Sequence, residues 1–162
     1  MIQPKPIEVF LGPPPLGGFA RRPPLIEVYL AADPTWSPGS ADPPSSNGRP
    51  YRAVLDTGAD FCALDHIVAE EIGAEITENG HVNAFGGATK NLGRAIVQVF
   101  LPTALQTFET RFANMDFRGA GQPWNAILGR DFLRHCHFVV DGPRSQYHLE
   151  WIGAAPAARK SE

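Results

Sequence analysis

Ala53-Val54-Leu55-Asp56-Thr57-Gly58-Ala59-Asp60 is the stretch whose reading decides the fold of this chain. Tyr51 to Leu55 has the composition of a buried strand, and it delivers a carboxylate at its end. A lone carboxylate in such a place costs free energy unless hydrogen bonds or a partner charge compensate it. Thr57 supplies a hydroxyl donor, and Gly58 lets the backbone approach a ligand closely. The pattern suits a carboxylate held at the floor of a cleft. Taken alone, Asp56-Thr57-Gly58 is equally an ordinary strand-ending turn.

The rest of the chain has the punctuation of a β protein. Its 162 residues carry 16 Pro and 16 Gly, 43% hydrophobic residues, 19% charged residues and a formal net charge of −3. That is one domain's worth of sequence, too rich in helix breakers for a helical bundle. The acidic balance argues against nucleic acid held by bulk charge, and no apolar run is long enough to span a membrane. The N-terminus lacks a basic-then-apolar leader, so a cytoplasmic location is expected. Most of the prolines fall in residues 1–50. They mark a Pro-rich arm over 1–23 and a breaker-rich loop insertion over 33–50, with a strand from Leu25 to Leu30 between them. The core domain is expected over 24–153, and a frayed tail over 154–162.

Within the core domain, Asp65 is placed to cap a short helix that runs to Ile72 and stops at Gly73. His81 to Phe85 and Leu92 to Leu101 read as strands across a Gly86-Gly87 turn. Phe108 to Phe112 and Asn125 to Leu128 read as further strands, and Arg130 to His135 as a turn or two of helix. Phe138 to Val140 and Tyr147 to Ile152 form a hairpin across Asp141-Gly142-Pro143. In the arm, Ile7 to Leu11 echoes Ile26 to Leu30. The echo is either two independent strands of common composition or an arm segment able to pair with a sheet edge or lie where a peptide would lie.

Asp56-Thr57-Gly58-Ala59 resembles the active-site signature of the retropepsin-like (retroviral-type) aspartic proteases. Ile127-Leu128-Gly129-Arg130-Asp131 resembles the family's apolar-apolar-Gly-Arg segment, and Phe85-Gly86-Gly87 resembles the glycine-rich tip of its flap hairpin. The three occur in the family's order and spacing, and the similarity covers roughly 24–153. It implies an all-β, single-lobe barrel with one short C-terminal helix, active as a two-fold symmetric dimer. By the same resemblance Asp56, Thr57 and Gly58 are catalytic. Ala59, Asp60, Phe85, Gly86 and Gly87 contact substrate, while Gly129 and Arg130 support the loop, Arg130 by pairing with Asp60. Phe85 either covers the cleft or belongs to the base of the flap.

Such chemistry needs two carboxylates that share one proton, so their apparent pKa values split. This chain has one such motif, because Val139-Val140-Asp141-Gly142 lacks the hydroxyl residue and reads as a hairpin turn. The second Asp56 is therefore expected from a second copy, with dimer strands drawn from the termini. The expected activity is endoproteolysis of a polypeptide substrate by a homodimer, with no metal or other cofactor, no nucleic acid and no membrane. The alternative is a retropepsin-fold dimer that binds peptide or protein and cleaves little. His135-Cys136-His137 reads as a buried Cys between two surface His rather than a metal site. Cys62 and Cys136 are close enough to the Asp60 and Arg130 segments to suggest a redox-sensitive staple.

Overall fold

Strand β4 (Tyr51–Leu55) carries the decisive stretch, and its burial shows why it sits at the centre: all but Arg52 are buried. In this computed structural model, which describes residues 3–12, 23–37, 40, 42–83 and 89–153, both edges of β4 are paired. On one side β3 (Pro24–Ala31) runs antiparallel, with Leu25 opposite Val54 and Val28 opposite Tyr51. On the other side β9 (Ala126–Leu128) runs parallel, with Val54 opposite Ile127 and Leu55 opposite Leu128.

The ladder continues from β9 to β5 (Ala63–Asp65), then to β8 (Gln106–Met115) and β7 (Thr89–Leu101). It closes where β7 meets β3 again, Tyr29 opposite Phe100. The result is a six-stranded barrel, which removes the free edges an open sheet would leave. A short β2 (Phe10–Leu11) adds to β3, and β6 (Glu78–Asn83) forms a hairpin with β7 whose last described pair is Asn83 with Thr89. A separate three-stranded sheet has the order β1 (Lys5–Ile7), β11 (Gln146–Trp151), β10 (Cys136–Asp141).

Two short helices interrupt this β architecture. Helix α1 (His66–Glu71) starts at Asp65, whose carboxylate accepts from the Ile67 amide at 3.0 Å, and ends before Gly73 at φ +67°. Helix α2 (Arg130–Leu133) follows β9 directly. No described helix is long and apolar enough to cross a membrane.

The main core lies inside the barrel, where Leu30, Tyr51, Leu64, Phe112, Leu128 and Phe132 are fully buried. Each such side chain contributes roughly 1.5–3 kcal/mol by leaving water. A smaller cluster of Ala63, Ala113 and Phe117 packs with Phe61, Met115, Trp124 and Ile127. Ile127 therefore faces away from Ala126 and Leu128, as strand alternation requires.

The arm is partly built into the fold. β1 pairs with β11, Ile7 opposite Leu149, and Ile7 is buried in the main core. The Ile7 to Leu11 segment is in sheet pairing, as two short strands that Glu8 and Val9 separate. The described residues of the 33–50 segment are mostly exposed but tied down. Asp33 accepts from the Thr35 amide and hydroxyl and from the Ser45 amide, and the Thr35 hydroxyl contributes most to lowering its pKa. At the far end, Asn47 donates to the Tyr51 hydroxyl, which donates to Glu71.

Candidate active site

Asp56 leaves the end of β4 with its amide bonded to the Leu128 carbonyl at 3.1 Å, so the parallel β4–β9 pairing extends into the turn. The turn then closes on itself. The Gly58 amide donates to Asp56 Oδ1 at 2.8 Å, and the Ala59 amide to the Asp56 carbonyl at 3.3 Å. A Cβ at Gly58 would stand 3.1 Å from Asp56 Oδ1, so glycine leaves room for that amide to reach the carboxylate. Asp56 is half-buried, while Thr57 and Gly58 are exposed. The carboxylate is thus held by the backbone at the rim of the barrel, beside the exposed Thr57.

The segment after β9 braces this turn from below. The Arg130 amide donates to the Ala59 carbonyl at 2.9 Å, and the Arg130 guanidinium pairs with Asp60. Both side chains of that pair are largely exposed, at 60% and 69%. Solvent screening therefore makes it an orienting contact rather than a large source of stability. Gly129 is held far more tightly. A Cβ there would lie 2.5 Å from the Phe61 carbonyl oxygen and 2.9 Å from that of Ala59.

Asp131 is the functional support that sequence reasoning missed. Its Oδ2 accepts from the Cys62 amide at 3.0 Å, and its Oδ1 from the Cys62 thiol at 3.0 Å and the Phe132 amide at 2.8 Å. One carboxylate thereby ties the start of α2 to the chain just beyond the Asp56 turn. Burial first, and then the charge of Asp131, pushes the Cys62 thiol well up, so it stays protonated as the donor. The available signal was an acidic residue in the first turn of a helix directly after Gly-Arg.

Other expectations resolve differently. Phe85, Gly86 and Gly87 lie outside the described residues, although the strands that lead to them pair as a hairpin. The Cys62–Cys136 staple is not formed: both cysteines are free. The Cys62 thiol is committed to Asp131, and the Cys136 thiol points to the Phe132 carbonyl at 4.0 Å. His135 is half-buried with its ring against Trp151, while His137 is exposed, so the two do not share one surroundings. Among the described residues, Asp65, His66 and Asp116 are close enough to share an ion. Their carboxylates already serve the backbone: Asp65 accepts from Ile67, Phe117 and Arg118 amides, and Asp116 from that of Gly119.

A family model described as "gag-polyprotein putative aspartyl protease" matches residues 44–135, which span the Asp56 turn, the β6–β7 hairpin and helix α2. Among solved structures, a retropepsin-like aspartic protease from Rickettsia conorii is similar at 14% identity and TM-score 0.54. The alignment covers 94% of this chain and 97% of that one. The EIAV protease, solved with the inhibitor HBY-793, aligns at 20% identity and TM-score 0.49 over 74% of this chain and 92% of its own. No curated protein matches the chain. The barrel is a retropepsin-like fold, and with more than half its length matched the chain belongs to the gag-polyprotein aspartyl protease family.

Proposed function

We propose that the chain is an aspartic endopeptidase that works as a homodimer, each protomer supplying Asp56. The observation that carries this reading is the braced turn: Asp56 is fixed by Leu128 and Gly58, with Thr57 and Gly58 left exposed beside it. A two-fold axis through that exposed turn puts two copies of one loop face to face. Two carboxylates at that range cannot both ionise, so they share a proton. The ionised Asp56 takes a proton from water while the protonated Asp56 donates to the carbonyl oxygen of the scissile peptide. Attack by the water then gives a tetrahedral intermediate, which collapses with proton transfer to the leaving amine.

Thr57 braces the paired loops, and Ala59 and Asp60 flank the bound peptide. The β6–β7 hairpin, with Phe85, Gly86 and Gly87 in its connection, closes over it and excludes water. The sheet β1-β11-β10 leaves the outer edge of β10 without a strand partner among the described residues. That edge, with Val139 and Val140 exposed at 53% and 60%, supports the terminal-strand dimer.

The test is incubation of purified protein with an unfolded protein substrate from mildly acid to neutral pH, beside Asp56→Asn. Cleavage by the wild type and none by the variant is expected. Equal behaviour of the two would sink the endopeptidase reading.

A further inference from the structure

Asp65, His66 and Asp116 bring a ring nitrogen and two carboxylate oxygens together at the start of α1, all within 4.8 Å of one another. His66 Nδ1 stands 4.0 Å from Asp65 Oδ1 and 3.8 Å from Asp116 Oδ1. Both separations exceed the roughly 2.7–3.2 Å of an N–H···O hydrogen bond. Nδ1 is also closed to water and has no hydrogen-bond partner. A buried polar atom in that position is unfavourable and calls for a partner.

The two carboxylates retain electron pairs for that partner. Each carboxylate oxygen has two. Asp65 Oδ2 uses both on the Phe117 and Arg118 amides, whereas Asp65 Oδ1 accepts from the Ile67 amide. Asp116 Oδ1 accepts from the Gly119 amide. One pair is thus left on each of the two oxygens that face Nδ1. A neutral imidazole with its proton on Nε2 adds a third. Three electron pairs converge with no hydrogen between them, and they repel unless a cation stands among them.

The donor set states which cation fits. Zn²⁺ binds imidazole nitrogen and carboxylate oxygen at about 2.0–2.2 Å, closer than a water approaches, so gaps of 3.8 and 4.0 Å suit it. The imidazole favours such an ion over Ca²⁺ and Mg²⁺, which take oxygen ligands. The ligands are also oriented in advance: three amides fix the Asp65 carboxylate, and that of Gly119 fixes Asp116. The side chains of His66 and Asp116 are 40% and 62% exposed, which leaves the outer side open to a water as fourth ligand. We infer that Asp65, His66 and Asp116 form a structural zinc site that clasps the connection from β8 to β9 onto the start of α1. The ion takes no part in peptide hydrolysis, and the inference stands independently of the endopeptidase reading.

Two measurements test the site. First, the full chain is freed of metal with a chelator and titrated with ZnCl₂ by calorimetry. One equivalent should bind per chain, and Tm should rise by roughly 5–10 °C at free Zn²⁺ about a hundredfold above Kd. His66→Ala and Asp116→Asn should each weaken binding at least about tenfold, since losing even a group that merely orients a metal ligand does so. His148→Ala, which removes the His148–Glu150 pair, should leave the affinity unchanged.

Second, long-range ¹H–¹⁵N spectra of the wild type follow the His66 ring nitrogens, assigned through its helix neighbours, with and without ZnCl₂. This readout does not depend on how well any variant folds. Nδ1 should shift on addition of zinc while Nε2 keeps its proton. No binding at ZnCl₂ up to about 0.1 mM would overturn the site, as would binding that both ligand variants retain in full. So would an Nδ1 that carries a proton at about pH 7 and keeps it when zinc is added, because a proton rather than an ion would then stand between the carboxylates.

Discussion

Gly129 sits so close beneath Phe61 that a Cβ would meet the Phe61 carbonyl carbon at 2.7 Å and its oxygen at 2.5 Å. The obstacle is backbone, which cannot swing aside as a side chain can. Gly129→Ala is therefore expected to cost about 1–3 kcal/mol, the range of an overpacked core, and to displace the Asp56 turn. Gly142 has open space where its Cβ would be, so Gly142→Ala should change stability by less than about 0.5 kcal/mol. Denaturant midpoints of the two variants check the contrast.

Asp131 gives a second, graded expectation. Asp131→Ala leaves the Cys62 amide and thiol without their acceptor, and should cost about 3 kcal/mol. Asp131→Asn keeps one acceptor oxygen and should cost less than half as much. Equal loss in both, by chemical denaturation, would mean that the carboxylate's charge rather than its geometry holds the turn.

The arm is expected to matter for folding. Ile7 is buried opposite Leu149, whereas its neighbour Glu8 is exposed. Ile7→Ala should lower stability by about 2–4 kcal/mol, and Glu8→Ala by less than about 0.5 kcal/mol. A thermal melt unchanged by Ile7→Ala would show that the β1–β11 pairing carries no stability.

Alkaline stability follows from the cysteines. Burial pushes the Cys136 thiol up to about 12, from 9.0, and the Cys62 thiol upward as well. The folded state thus holds these protons more tightly than the unfolded chain. Their contribution is present in full below about pH 9 and is lost as the pH rises toward 12. Unfolding free energy should fall above pH 9 in the wild type and fall less steeply in Cys136→Ala. Parallel curves would contradict this.

Much of this was legible in the residues because local chemistry dictated it. Asp65 and Gly73 announced both ends of α1, and Asp56-Thr57-Gly58 with Gly129-Arg130 announced the turn and its brace. The hairpin β10–β11 was legible from Asp141-Gly142-Pro143, although the strands run longer than their apolar runs. What depended on contacts distant in sequence was not legible. Nothing near Asp131 shows that its oxygens reach Cys62, 69 residues away. Nothing near Ile7 shows that it meets Leu149 across the whole chain. The Cys62–Cys136 staple failed for the same reason: nearness to paired segments does not fix where a thiol points.

The central claim is that one site needs Asp56 from two copies of the chain. It is tested most directly by mixing wild-type and Asp56→Asn protomers at constant total concentration, after exchange, and following cleavage of one peptide. Mixed dimers carry a single native carboxylate, so activity should fall with the square of the wild-type fraction, to about a quarter in an equal mixture. Activity that falls in simple proportion to the wild-type fraction would contradict the account, since each protomer would then be acting alone.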